Sequence, residues 1–207
     1  MKQRILVWDV PTRIFHWAFA LSFAGAYLTS ESERYADIHY ALGYLFAGLL
    51  VFRLIWGLVG TRYARFGSFL FAPGQVLTYV RSLLSSAPQH YIGHNPAGAL
   101  AIVLLLGLGA LIAFSGVGLV WEWGGYDGEE VFEELHEITA NLMLLVVLVH
   151  IAGVVVSSVL HRENLVGSML TGYKQAEASA AVARNHWLLG ILLFGLAVGF
   201  LLVYLGN

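Results

Sequence analysis

The sequence has 207 residues, of which 58% are hydrophobic and only 12% are charged, and its mean hydropathy is +0.73. Soluble domains usually carry about 25% charged residues, so this composition predicts an integral membrane protein. The formal net charge is only −2, and the lack of cysteine excludes disulfides, thiolate metal sites, iron–sulfur clusters and covalently attached haem.

Five segments are apolar enough to span a bilayer, which takes about 20 residues. In chain order they are residues 12–29, 38–59, 97–120, 134–160 and 186–205. Asp9 and Pro11 are start signals for the first span. Between the second and third spans, residues 73–84 are too short a stretch to cross and predict a helix lying in the interface. The pattern predicts an all-α membrane bundle with a four-helix core in residues 1–174. A linker and a fifth transmembrane helix are expected in residues 175–207.

Basic residues are concentrated in the connections on one side of the predicted membrane. Nine of the eleven lie there: Lys2, Arg4, Arg13, Arg62, Arg65, Arg81, Arg162, Lys174 and Arg184. The two connections on the other side contain only Arg34. By the positive-inside rule, the N-terminus is cytoplasmic and the C-terminus periplasmic, in a bacterial inner membrane.

Four histidines fall at two depths of this bundle. His136 and His150 are fourteen residues apart on the fourth span, so they share one helix face and stand about 21 Å apart along its axis. His39 matches the depth of His136 near the external surface, and His16 matches the depth of His150 toward the cytoplasm. The sequence therefore predicts an outer and an inner pair of imidazoles, each formed across two helices.

Haem b suits such pairs, because its iron takes axial ligands from two opposite sides, binds imidazole and needs no cysteine. A single histidine in a membrane is often a hydrogen-bonded core residue or a proton relay. Four histidines in two depth-matched pairs fit that interpretation less well, and a copper or zinc site would gather its ligands at one depth. We predict two haems b, with no open coordination position on either iron.

Two further residues are candidates for the inner site. Arg53 follows His39 by fourteen residues, and a haem propionate would be a good partner for its charge, with snorkelling to the interface as the alternative. His94 precedes the third span, where Asn95 and Pro96 predict a helix start. Its side chain is a candidate for a quinone or propionate pocket, and a structural role in the loop is the alternative.

Five stretches within residues 5–174 carry a resemblance to a known family. They are VWDVPTRIFHW, IHYALGYLFAGLLVFRLIWGLVG, YIGHNPAGAL, ELHEITANLMLLVVLVHIAGV and HRENLVGSMLTGYK. They resemble the bacterial cytochrome b561 family, which includes the b-type cytochrome subunits of nickel–iron hydrogenases. The resemblance implies four helices that hold two haems b through His16, His39, His136 and His150, the positions already reached from depth and phase. The family core ends near MLTGYK, so the fifth span is an addition.

The resemblance also implies electron transfer across the membrane, commonly involving quinone. We expect an external donor to reduce the outer haem, and a quinone near the cytoplasmic side to accept the electron from the inner haem. The expected partners are membrane lipid, quinone and an external c-type cytochrome or oxidoreductase subunit, with no nucleic acid. The fifth span is expected to contact a partner subunit or a second copy of the chain.

Three other functions stay open on the sequence. One is a superoxide:quinone oxidoreductase acting at the outer haem, the second is a subunit anchoring a nickel–iron hydrogenase-like complex, and the third is a non-redox transporter or assembly subunit. An acidic external loop would repel superoxide and favours a donor that is positively charged where it docks. Its acidic residues are Asp127, Glu129, Glu130, Glu133 and Glu134.

Overall fold

The computed structural model describes residues 2–85 and 88–206. Within these residues there are seven α-helices and two short strands, joined by turns and three short 3-10 segments. The elements are β1 (Gln3–Leu6), α1 (Val10–Thr29), α2 (Ala36–Val59), α3 (Pro73–Ser82), α4 (Pro96–Val120), α5 (Gly125–His161), α6 (Leu165–Thr171), β2 (Tyr173–Ala176) and α7 (Trp187–Leu205). The predicted helical membrane bundle is confirmed.

Two helices begin where the sequence signals placed their starts. The Asp9 carboxylate accepts a hydrogen bond from the Thr12 backbone N–H at 2.8 Å and so caps α1. The Asn95 side chain accepts one from the Gly98 N–H at 2.7 Å and caps α4. These caps satisfy backbone donors that the first helical turn leaves unpaired. The short helix α3 begins at Pro73, as the interfacial prediction required.

Asp9 also ties the start of α1 to the end of α2. Its fully buried carboxylate accepts hydrogen bonds from the Trp56 indole at 3.3 Å and the Thr61 hydroxyl at 2.5 Å. A buried carboxylate is stable only when hydrogen bonds or charges compensate for its lost hydration. This network therefore fixes the relative height of α1 and α2, the helices that carry His16 and His39.

Four of the described helical segments are long and apolar enough to cross a membrane: Glu33–Val59, Pro96–Val120, Gly125–His161 and Trp187–Leu205. The predicted first span is present as the 20-residue helix α1, which packs against α2 and α7. Arg13 and His16 lie within this helix.

The fourth span is much longer than predicted. The prediction that the five acidic residues lie in an external loop is wrong. Helix α5 already begins at Gly125 and contains all five in its first turns. Its 37 residues correspond to about 55 Å, against a hydrocarbon thickness of about 30 Å. Acidic side chains favour the N-terminal end of a helix because they complement its dipole. The acidic residues therefore lie on a helical extension that projects beyond the apolar span.

A small antiparallel sheet was missed by the all-α prediction. Strand β1 pairs with β2, with Gln3 opposite Ala176 and Leu6 opposite Tyr173. A small cluster of buried apolar side chains packs around this sheet: Ile5, Val7, Trp8, Ala176 and Ala180. The sheet ties the N-terminus to the chain that follows α6, and α7 then packs on α1 and α2.

Candidate functional site

The outer pair of histidines meets across α2 and α5. The ring centroids of His39 and His136 are 6.2 Å apart, with 69° between the ring planes. An imidazole nitrogen binds a metal at about 2 Å, so two imidazoles on opposite sides of one ion have centroids roughly 6 Å apart. The separation therefore fits two axial ligands of one metal.

Hydrogen bonds fix which nitrogen of each outer imidazole carries the proton. His39 Nδ1 lies 2.8 Å from the Ala26 carbonyl oxygen, and His136 Nδ1 lies 3.1 Å from the Ile112 carbonyl oxygen. A carbonyl oxygen only accepts, so Nδ1 carries the proton in both rings and Nε2 keeps its lone pair. Metal-binding histidines commonly have this arrangement, because the bonded Nδ1–H orients the ring and raises the basicity of Nε2.

Two residues next to His136 had no signal in the sequence. Ser115 on α4 has its hydroxyl 3.1 Å from His136 Nδ1. Gly116 is so close to the same ring that a Cβ there would lie 3.2 Å from His136 Cε1. The absence of a side chain at Gly116 therefore lets α4 approach the imidazole.

The inner pair is formed by His16 on α1 and His150 on α5. The two imidazoles are close enough to interact electrostatically. His16 Nδ1 is buried and has no hydrogen-bond partner among the described residues. A buried polar atom nearly always has a partner in a native protein. The unpaired nitrogen thus fits a residue that binds a group other than the chain itself.

Arg53 lies among aromatic rings and does not snorkel to the surface. It is only 4% exposed, and its guanidinium carbon lies 4.9 Å from the Phe66 ring centroid and 5.8 Å from that of Phe69. Nη1 is buried and unpaired among the described atoms. The Arg53 guanidinium interacts electrostatically with the Asp9 carboxylate. That carboxylate already accepts three hydrogen bonds from other groups. The guanidinium is therefore free to bind an additional anionic oxygen.

His94 is buried in the loop before α4, between the rings of Trp8 and Phe69 at 4.7 and 4.6 Å. Its Nδ1 is also unpaired among the described residues. Burial first, and then the Arg53 charge, lower the pKa of His94 to about 3, so the ring is neutral at physiological pH. His16 and His150 also interact electrostatically with this ring.

The remaining histidines lie away from both pairs. His90 and His161 form a ring contact at 5.2 Å near Glu163, and the His186 ring packs against Trp56 at 5.3 Å. His186 directly precedes α7.

Aromatic side chains fill the bundle between the two histidine levels. Phe19 and Phe46 stack with centroids 4.1 Å apart and 17° between their planes. A Cβ at Gly109 on α4 would lie 3.1 Å from the Phe46 ring, so this glycine allows the stack to pack against α4. A dry, well-packed segment therefore separates the outer from the inner pair.

Comparison with known proteins assigns the chain to a family of membrane cytochromes. A sequence model of prokaryotic cytochrome b561 matches residues 7–172. The chain is 28% identical to a probable Ni/Fe-hydrogenase B-type cytochrome subunit of Rhizobium leguminosarum bv. viciae, over 83% of this chain and 89% of the relative. It is 25% identical to the corresponding probable subunit of Azotobacter vinelandii, over 84% and 89%. No solved structure matches the chain. With four fifths of its length covered by the family model, the chain belongs to the prokaryotic cytochrome b561 family.

Proposed function

We propose that the protein transfers electrons across the membrane through two haems b, between an external partner and membrane quinone. A b-type cytochrome carries haem b, and the observation that carries the proposal is the outer pair, His39 and His136. Their 6.2 Å separation and bonded Nδ1 atoms would let the two rings hold one haem iron between them. We assign the second haem to His16 and His150, the pair at the other depth.

When bound, haem b supplies a one-electron centre through its iron. The four histidines hold the two centres at different heights, and the Phe19–Phe46 stack keeps water out of the space between them. Arg53 offers a buried positive charge to a propionate of the inner haem. His94, which is neutral and interacts electrostatically with the inner pair, is proposed to line the propionate or quinone pocket as a hydrogen-bonding group.

The proposed orientation of the protein in the membrane follows from its charge distribution. Eight of the eleven basic residues lie in connections on one side, and Arg13 lies at the same end of α1, which supports a cytoplasmic N-terminus and a periplasmic C-terminus in the inner membrane. The outer pair then faces the periplasm and the inner pair the cytoplasm. We further propose residues 1–174 as the di-haem domain, with residues 175–207 as an added linker and helix. The outward apolar face of α7 is available to a partner subunit or a second copy.

The names of the relatives and the acidic extension of α5 favour an oxidoreductase complex or c-type cytochrome as the external partner. The relatives are named as hydrogenase b-type cytochrome subunits, which makes an anchoring role in a hydrogenase-like complex the second candidate. The exposed acidic extension of α5 offers a negative surface beside the outer pair. This surface attracts a basic docking partner and repels superoxide, so direct superoxide oxidation is disfavoured.

Electron transfer can be tested in sealed vesicles that contain the purified protein. Dithionite is added outside, ferricyanide is enclosed, and the bleaching of ferricyanide is followed together with the haem absorption bands. The wild-type protein should bleach ferricyanide, and His16→Ala should stop this transfer while the outer haem is still reduced. His90→Ala, which changes a histidine outside both pairs, is the matched control.

Quinone linkage needs a separate measurement. Quinol added to the oxidised protein in vesicles should reduce the haem bands at a rate that saturates with quinol concentration. If the wild type bleaches ferricyanide but quinol does not reduce its haems, transmembrane electron transfer stands and quinone is rejected as the partner. No bleaching by a protein that contains two haems would reject the transmembrane route.

A further inference from the structure

A basic cavity lies where α5 ends and the β1–β2 sheet begins to cover α6. Its volume is about 470 Å³, and it is separate from both histidine pairs. The charged and titratable residues that line it are Lys2, Arg4, His90, His161, Arg162, Glu163 and Lys174. Four of these are lysine or arginine, and one is acidic.

The charges in this cavity are not balanced by the chain. Among the described residues Glu163 is its sole acidic lining residue, and it already pairs with the buried Lys174 ammonium at 3.0 Å and with His90 Nε2 at 3.4 Å. Lys2, Arg4 and Arg162 have no carboxylate within salt-bridge distance in the described part of the chain. Arg4 is held in place over the Tyr173 ring, 4.3 Å from its centroid. The cavity therefore presents three uncompensated cations to a ligand.

The two helices that form the cavity also carry exposed apolar side chains. Val159 near the end of α5 is 71% exposed, and Val166 and Leu170 on α6 are 47% and 58% exposed. α5 contains an apolar span, so its end lies at the membrane boundary. The cavity therefore combines positive charge with a position at the edge of the membrane. A soluble phosphate would use only the cations, whereas a phospholipid would also extend into the adjoining membrane.

We propose that this cavity binds the phosphate headgroup of an anionic phospholipid, whose acyl chains extend into the membrane beside the end of α5. The three free cations compensate the phosphodiester, and the side-chain NH2 group of Asn164 in the lining supplies hydrogen-bond donors, since only its oxygen is used to cap α6. Basic residues near a membrane surface each strengthen binding to anionic lipid about fivefold. The site is independent of electron transfer and lies at the membrane face where α5 ends, whichever side of the cell that face meets.

Native mass spectrometry of the detergent-solubilised holoprotein tests this site. Phosphatidylglycerol and phosphatidylcholine are titrated separately, and the bound lipid is counted. The wild type should bind one phosphatidylglycerol saturably and phosphatidylcholine at least tenfold more weakly. The double variant Arg4→Gln/Arg162→Asn should bind phosphatidylglycerol about 30-fold more weakly. Asparagine is chosen at position 162 because it tolerates the left-handed backbone there, where φ is 50°.

The controls separate this lipid site from general attraction to a basic surface. Arg184→Gln removes an exposed positive charge outside the cavity and should bind phosphatidylglycerol like the wild type. Inorganic phosphate at millimolar concentration should not displace the lipid. Equal binding of the two lipids, wild-type binding by the double variant, or displacement by phosphate would each overturn the proposal. If the double variant fails to fold, Lys2→Gln replaces it and should weaken binding about fivefold.

Discussion

Replacing Gly116 by alanine tests His136 as a ligand without removing any polar group. The new Cβ would lie 3.2 Å from His136 Cε1 and 3.5 Å from Nδ1, and the first distance is shorter than about nine in ten Cβ contacts in proteins. The imidazole must therefore shift by a few tenths of an ångström. Such a shift strains the hydrogen bonds of Nδ1 to Ile112 and Ser115, which hold the ring.

The expected magnitude follows from the role of those hydrogen bonds. Disturbing groups that orient a metal-bound histidine typically costs about 10- to 100-fold in metal affinity. A displacement of the ring leaves the bonds in place but strained, so we expect the lower end, about tenfold. Gly107→Ala is the matched control, because it lies on the same helix and its Cβ would have no atom within 4 Å. Both changes bring the same gain in helix propensity, about 0.5–1 kcal/mol.

Haem transfer to an excess of apomyoglobin measures this effect. The wild type should release its two haems in two phases, and Gly116→Ala should accelerate one phase about tenfold. The other phase should be unchanged, because His16 and His150 lie at the other depth. Identical kinetics for Gly116→Ala and Gly107→Ala would refute His136 as a ligand. Equal acceleration of both phases would refute the separation into an outer and an inner site.

Three further outcomes are expected. Arg53→Leu should lower the midpoint potential of the inner haem in a redox titration, because loss of a positive charge favours the oxidised iron. The expected decrease is about 60 mV, which corresponds to a tenfold change in the one-electron equilibrium. No change in either haem potential would contradict this prediction. Glu129→Gln/Glu130→Gln should slow stopped-flow reduction by the external donor about tenfold at low salt and flatten its salt dependence, since exposed charges are screened within about 8 Å at physiological ionic strength; a rate indifferent to salt would exclude docking there. His94 has a pKa lowered by burial from 6.5 to about 3. The unfolded chain therefore binds the extra proton, so thermal stability should fall as pH drops below about 6.5, and His94→Gln should flatten that fall.

Span positions and the depths of the four histidines could be predicted because both depend on local sequence periodicity. Apolar length identifies a membrane helix, and the 3.6-residue repeat fixes which residues share a face. The fourteen-residue spacing of His136 and His150 carried most of this information. The cap of α1 by Asp9 was predictable for the same reason, since a helix start depends on a few adjacent residues.

Two features were missed for different reasons. The β1–β2 sheet depends on contacts between distant parts of the chain, and the extension of α5 lies outside the apolar segment from which a membrane helix is predicted. Strand β1 pairs with β2 from the opposite end of the sequence, and neither four-residue strand has enough length for a recognisable alternation. The extension of α5 was missed because an apolar window ends where the acidic residues begin. Gly124 in the left-handed conformation, followed by acidic residues suited to a helix start, was the available signal.

The haem content of the purified protein, measured as pyridine haemochrome per chain, tests the central claim most directly. We predict two haems b in the wild type and in His90→Ala, and one in His39→Ala, with the remaining haem assigned to His16 and His150 by its loss in His16→Ala/His39→Ala. A single haem in the wild type, or two haems with unchanged spectra in His39→Ala, would contradict the account.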